Sequence, residues 1–260
     1  MAHSTSTAFI AQLLWLLLFL CGIPSLTVDL HVDCAELEWE ALVHFKDDIE
    51  NLSRRADQSL LDPHHLEWLS RLSFLKYLNL GGLGFSYEYK AMIQTLNSLP
   101  SLEELHLHNC GLSSADLNIS FVNFTSLRVL DLSDNDLNCT LPHWVFNLKN
   151  LVHLDLSGSN LCGQFPDGIV DSLEHLDLSD NGIGGRLSSN LGKLCNLRNL
   201  KLSHNAISGE ITGFVNTLSA CSNNSLETLD LGSNAFMGNL PDTLGYIKSL
   251  KVLQLQNNSF

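Results

Sequence analysis

The chain of 260 residues carries 14 basic against 28 acidic side chains, a formal net charge of -14, and no Lys/Arg run that could track a phosphate backbone. This composition excludes a nucleic-acid binder held by phosphate contacts and predicts an acidic surface field. Length alone allows one or two ordinary domains, but a self-similar sequence of this size is better counted in repeats, which stack into one elongated body.

Residues 1–27 have the layout of a signal peptide: an apolar core from Ala8 to Ile23 interrupted only by Gln12, then Pro24-Ser25-Leu26-Thr27 with small residues suited to cleavage. The core is shorter than the roughly 20 apolar residues of a spanning helix. No second long apolar stretch follows, so no membrane span is expected apart from the signal sequence. Cys21 leaves with that segment, and Cys34, Cys110, Cys139, Cys162, Cys195 and Cys221 remain. Export permits disulfides and N-glycosylation, and Asn51, Asn118, Asn123, Asn138, Asn223 and Asn257 each begin Asn-x-Ser/Thr. In residues 28–65, Leu42, Phe45 and Ile49 fall on one helical face, as a capping helix needs.

Residues 66–260 read as a solenoid. The pattern L-x-x-L-x-L-x-x-N recurs with first leucines at Leu75, Leu102, Leu127, Leu151, Leu173, Leu197, Leu226 and Leu250, spaced 27, 25, 24, 22, 24, 29 and 24 residues apart. These periods suit leucine-rich repeats and lie far from a heptad. In each unit the two leucines of L-x-L share one side of a short strand and the residue between them faces out. The expected fold is therefore an α/β repeat, a curved leucine-rich-repeat solenoid with a parallel sheet on its concave face. The Asn slot, eight residues after the first leucine, holds Leu83, Cys110, Asn135, Ser159, Asn181, Asn205, Asn234 and Asn258. A buried amide there satisfies main-chain groups of the turn leaving the strand, which Leu83 cannot do.

After the slot several units continue as L-x-G-x-I-P or a near variant: Leu161-Cys-Gly163-Gln-Phe165-Pro166, Ile207-Ser-Gly209-Glu-Ile211 and Phe236-Met-Gly238-Asn-Leu240-Pro241. With Leu141-Pro142-His143-Trp144 and the run from Leu194-Cys195-Asn196-Leu197 to Cys221, this resembles the plant-specific extracellular subtype and, within it, kinase-less receptor-like proteins of the fungal-xylanase-receptor type. The resemblance implies a protein- or peptide-binding ectodomain in defence or development signalling, at the plasma-membrane surface or secreted to the apoplast. It also implies a co-receptor kinase as a possible partner, no cofactor and no catalysis. A secreted inhibitor of a cell-wall-degrading enzyme, or a non-functional paralogue, are the alternatives. Cys34-x-x-x-Glu38-x-x-Ala41-Leu42 resembles the first half of the family's N-terminal cap, but its second half is absent and Asn258-Ser259-Phe260 stops inside a repeat, so the chain reads as shortened.

The outward column Asn79, His106, Asp131, Asp155, Asp177, Lys201, Asp230, Gln254 brings three aspartates together with Lys201 at their end, and His153 and His175 run beside it. One reading is that Leu-Asp-Leu-Ser is simply this family's favoured strand. The sharper reading is a ligand-binding strip on the concave face for a basic or polar peptide, made pH-sensitive by the two histidines. Metal binding is not expected, since no two-His helical spacing occurs, and the absence of a G-x-S-x-G elbow argues against a serine triad.

Cys195 and Cys221 bracket the longest unit and lie where the resembled proteins place a cysteine pair, which implies a bridge closing that unit. Cys139 and Cys162 lie four and three residues after their slots, nearly equivalent points on successive coils. Coil spacing of about 5 Å would bring their Cα atoms into disulfide range, but the one-residue offset could equally leave two free thiols.

Overall fold

Parallel strands form wherever an x-Leu-x triplet repeats, because each coil can bury its leucines only against the coils on either side. The computed structural model describes residues 72–82, 89–118, 122–138, 143–165, 171–222 and 224–260. The segments read from sequence as a signal peptide and a partial cap, 1–65, with Cys34 and Asn51, lie outside the described residues, as do Leu83, Cys139 and Asn223. One parallel sheet contains β1 (Tyr77–Asn79), β2 (Glu104–His106), β3 (Val129–Asp131), β4 (His153–Asp155), β6 (His175–Asp177), β8 (Asn199–Lys201), β10 (Thr228–Asp230) and β12 (Val252–Gln254), in that spatial order. A second sheet, ordered β11-β9-β7-β5, uses β5 (Cys162–Gln164), β7 (Gly182–Arg186), β9 (Ala206–Gly209) and β11 (Ala235–Phe236), all from the segment after the slot. Helix α1 (Tyr89–Leu96), helix α2 (Thr212–Ser219) and 3-10 turns such as His143–Asn147 and Ser189–Lys193 return each coil to its next strand. The fold is a leucine-rich-repeat solenoid.

The core is a stack of leucines. Leu105, Leu130, Leu154, Leu176, Leu200 and Leu229, at the centres of six consecutive strands of the large sheet, are all at most 2% exposed. Each such burial stabilises by roughly 1.5–3 kcal/mol before chain entropy is subtracted. Leu253, the same position in the edge strand β12, is 41% exposed.

The slot residues clamp coil to coil. Asn181 Nδ2 donates to the carbonyls of Leu156, Leu178 and Ser179, while its Oδ1 accepts from the main-chain N–H groups of Ser159 and Leu161 on the preceding coil. Asn135 does the same with Leu107, Leu132 and Ser133 as acceptors and Cys110 and Leu112 as donors. Where the slot is not Asn, a shorter donor serves: Ser159 Oγ reaches Leu132 O at 2.8 Å and the buried Cys110 Sγ reaches Leu80 O at 3.2 Å. Each bond covers a polar group that would otherwise be buried unpaired.

Every described coil also turns at one left-handed residue, two positions after its last strand leucine: Gly82, Asn109, Asp134, Gly158, Asp180, His204, Ser233 and Asn257 have φ between 50° and 75°. Except for Ser233 these are residue types that enter that region at least cost.

The 29-residue unit accommodates its extra length as α2, which buries Phe214, Val215 and Leu218. Gly192 in the neighbouring 3-10 turn lets the helix approach: a Cβ there would lie 2.6 Å from Phe214 O and 2.8 Å from Thr217 Cβ. A disulfide between Cys195 and Cys221, with Cα atoms 5.6 Å apart, ties the two ends of this unit together. Cys162 is also disulfide-bonded, and Cys139, the partner suggested by register, lies outside the described residues.

Candidate ligand-binding face

The open face of the large sheet is built from three columns of side chains. Strict register aligns His106, Asp131, Asp155, Asp177, Lys201 and Asp230 on β2, β3, β4, β6, β8 and β10. The same register places Tyr77, Glu104, Val129, His153, His175 and Asn199 in a parallel column. A third column just before the strands runs Lys76, Glu103, Arg128, Val152, Glu174, Arg198, Glu227, Lys251.

The aspartates are bracketed from below. Asp131 Oδ1 accepts from both the N–H and the hydroxyl of Ser133, at 3.0 and 2.7 Å. Asp155 with Ser157 and Asp177 with Ser179 repeat the arrangement, and Asp230 accepts from Gly232 N–H at 3.0 Å. Each aspartate thus closes the turn that leads to the left-handed residue. The favoured-strand reading of Leu-Asp-Leu-Ser has this physical basis, and only the second carboxylate oxygen is left to face outward. Asp230 keeps the register of the column beside Lys201 but is the most covered of these acids, 9% exposed.

The three central acids then differ. Asp131 Oδ2 lies 3.4 Å from His106 Nδ1 and 3.3 Å from His108 Nδ1. Burial would raise its pKa, but hydrogen bonds from His106 and Ser133 outweigh that and hold it at about 2. The same Asp131 hydrogen bond pushes the His106 pKa up, against the effect of its own burial. Asp177 Oδ2 is 3.0 Å from Lys201 Nζ, a contact that raises the lysine pKa. Between them, Asp155 has no ion-pair partner among the described residues. Burial raises its pKa, the Ser157 bonds oppose this, and repulsion from Asp177 and Asp131 adds to the rise.

His153 and His175 stack with ring centroids 5.2 Å apart, and His175 Nδ1 lies 2.7 Å from Asn199 Nδ2. Burial and the neighbouring His153 lower the His175 pKa. The two histidines are shifted in opposite directions, His106 toward its protonated form and His175 toward its neutral form. His108 was invisible to the strand-centred reading because it follows the last leucine of its unit. Its ring lies over Gly81, where a Cβ would meet the imidazole at 2.0 Å.

Of the sequons, Asn118 and Asn138 are exposed and off the strands, and Asn123 is half-buried. Asn257 is exposed at the left-handed turn, its Nδ2 3.1 Å from Ser233 Oγ. Among the described residues no group of three or more His, Cys, Asp or Glu side chains is arranged to hold a metal, and no helix is long and apolar enough to cross a membrane.

Three leucine-rich-repeat family models match: one over residues 100–161, one over 172–194 and 225–247, and one over 193–211. Receptor-like protein 35 of Arabidopsis thaliana is 37% identical over 196 residues, covering 74% of this chain and 20% of the relative. Receptor-like protein EIX2 of Solanum lycopersicum is 35% identical over 180 residues, covering 66% of this chain and 17% of the relative. This chain is a leucine-rich-repeat protein whose relatives are plant receptor-like proteins. It spans about a fifth of the length of the relatives it matches. Among solved structures, that of a TDR receptor superposes with a TM-score of 0.62 at 30% identity, covering 74% of this chain and 32% of that one. The Arabidopsis receptor kinase HAESA in complex with the peptide hormone IDA and the co-receptor SERK1 superposes at 0.59 with 28% identity, covering 74% and 31%.

Proposed function

We propose that this chain is an extracellular ligand-sensing module of the kinase-less receptor-like type, which receives a basic or polar peptide along the open face of its large sheet. The observation that carries the reading is Asp155. It lies at the centre of the column, flanked by one acid paired to His106 and another paired to Lys201, and of the three it alone has no cationic partner among the described residues. A half-buried carboxylate whose charge is disfavoured by its surroundings gains most from a guanidinium or ammonium set over it. The stacked His153 and His175 beside it offer a flat surface for the stem of such a group. Asp131, Asp177, Lys201 and His106 form the rest of the strip, while Asp230 supports it from below.

A co-receptor kinase at the plasma-membrane surface fits this reading by likeness to the HAESA complex, which contains both a peptide hormone and a co-receptor. Glycans on Asn118, Asn123 and Asn138 would stand off the strands and leave the face open. The test is to pan a random-peptide library on the secreted protein. Arg/Lys enrichment should be present in the wild type, lost in Asp155→Lys and Asp177→Lys, and kept in Lys193→Glu on a 3-10 turn. Enrichment that survives both aspartate changes and vanishes in Lys193→Glu rejects the open face.

A further inference from the structure

The column just before the strands alternates in sign across coils, and its charges are used up in pairs. Lys76 Nζ meets Glu103 Oε1 at 2.8 Å. Farther along, Arg198 reaches Glu227 at 2.8 Å and Glu174 at 4.0 Å, and Lys251 reaches Glu227 at 2.6 Å. The alternation fails once. Arg128 is followed on the next coil by the neutral Val152, which separates it from the acid Glu174, and Lys149 stands beside the gap. Among the described residues neither Arg128 nor Lys149 has an ion-pair partner.

These residues line one open depression of about 440 Å³, with Glu103 at its margin and Ser126 and Ser172 in its wall. The hydroxyls of the wall are committed inward, Ser126 Oγ donating to Pro100 O at 2.9 Å and Ser172 Oγ to Leu151 O at 2.7 Å, and Asn150, which also lines the opening, donates from Nδ2 to Thr125 O at 2.7 Å. Glu103 feels Arg128 but is bonded to Lys76 on its other side. The strong groups left facing the opening are thus two cationic donors around the half-buried side chain of Val152. A guest must bring an acceptor with negative charge and a short apolar stem.

We propose that this depression receives an acidic side chain of a partner protein, a Glu or Asp carboxylate seated between Arg128 and Lys149 with its methylenes on Val152. The site is separate from the strip around Asp155 and takes the opposite charge, so one coil region can hold a basic ligand and an acidic partner at once. On a chain with net charge of -14, a local positive notch selects where an acidic surface can approach at all.

The experiment is an NMR titration of the full chain, labelled at Arg and Lys side chains, with N-acetyl-tetraglutamate amide as probe. Saturable shifts confined to Arg128 and Lys149, weakened about fivefold or more by Arg128→Glu and by Val152→Glu, support the proposal. Val152→Glu places an internal carboxylate beside Arg128, in competition with the probe. Lys149→Gln, on an exposed turn, provides a third readout should either strand variant fail to fold. Shifts spread evenly over all lysines, or unchanged in the variants, overturn the proposal. Tighter and equally localised binding of tetragalacturonate overturns it in favour of an anionic polysaccharide. Because the probe is acidic, the outcome does not depend on whether the Asp155 strip binds a basic peptide.

Discussion

The flank column and the central column of the sheet treat charge in opposite ways. Along the flank, unlike charges alternate from coil to coil and neutralise one another in water. Along the centre, like charges repeat on adjacent strands about 4.8 Å apart and are tolerated because each is braced by the serine two residues on. Exposed alternating pairs add little to stability, whereas a row of braced acids stores a repulsion that an external cation can relieve. The difference separates a surface that is satisfied by itself from one that is completed by a ligand.

The largest effect is expected beneath both columns. Asn181→Ala removes three donated and two accepted bonds to main-chain groups and should cost about 3 kcal/mol or more in urea unfolding, with loss spreading to neighbouring coils. A smaller cost would mean that water replaces the amide and that the brace is not what holds the columns in register.

Asp131→Ala comes next, at roughly 2 kcal/mol. Its carboxyl is held at about 2 against an ordinary 3.8, so the contribution is complete above pH 3.8 and is lost as pH falls through that interval. His106→Gln should show the reverse dependence. The histidine pKa is raised, so its contribution is complete below the ordinary 6.5 and disappears as pH rises through the folded-state value. Melting temperatures of wild type and variants between pH 2 and 8 check both signs; parallel curves would remove the ion pair from the account.

Asp155→Asn is expected to stabilise by a few tenths to about 1 kcal/mol at pH 7, since the amide keeps the Oδ1 acceptor for Ser157 while removing the repelled charge. The gain should vanish in acid, where the native carboxyl is protonated. The same variant should weaken any Arg-bearing peptide that binds the face. Smallest of all, Glu227→Gln on the flank should shift the melting temperature by no more than about 1 °C, and 0.5 M salt should erase even that.

The leucines, the slot and the outward column were legible because they recur along the chain with one period, and each meets the same demand in every coil. Cys195 and Cys221 were legible only through resemblance. The alternating flank column was missed although it is also periodic: its signal lies in the sign change between residues some 24 positions apart, while a per-unit reading compares like with like. The serine brackets were hidden because Asp and Ser two residues apart look like ordinary surface polarity until the turn folds one onto the other. The depth of Asp230 was not legible either: alternation assigns a side to a residue but does not say how deeply its neighbours bury it.

The left-handed residue that turns each coil sets a limit on how such a surface can evolve. Those eight positions border the open face yet must be drawn from the small set of residues that tolerate positive φ, chiefly Gly, Asn and Asp. β-branched or bulky aromatic replacements would strain the turn, so this line of the surface cannot be freely diversified to suit new ligands. Variation in recognition is confined to the three columns upstream of it. A library meant to retarget the protein should randomise those columns and leave residues 134, 158, 180, 204 and 233 as they are.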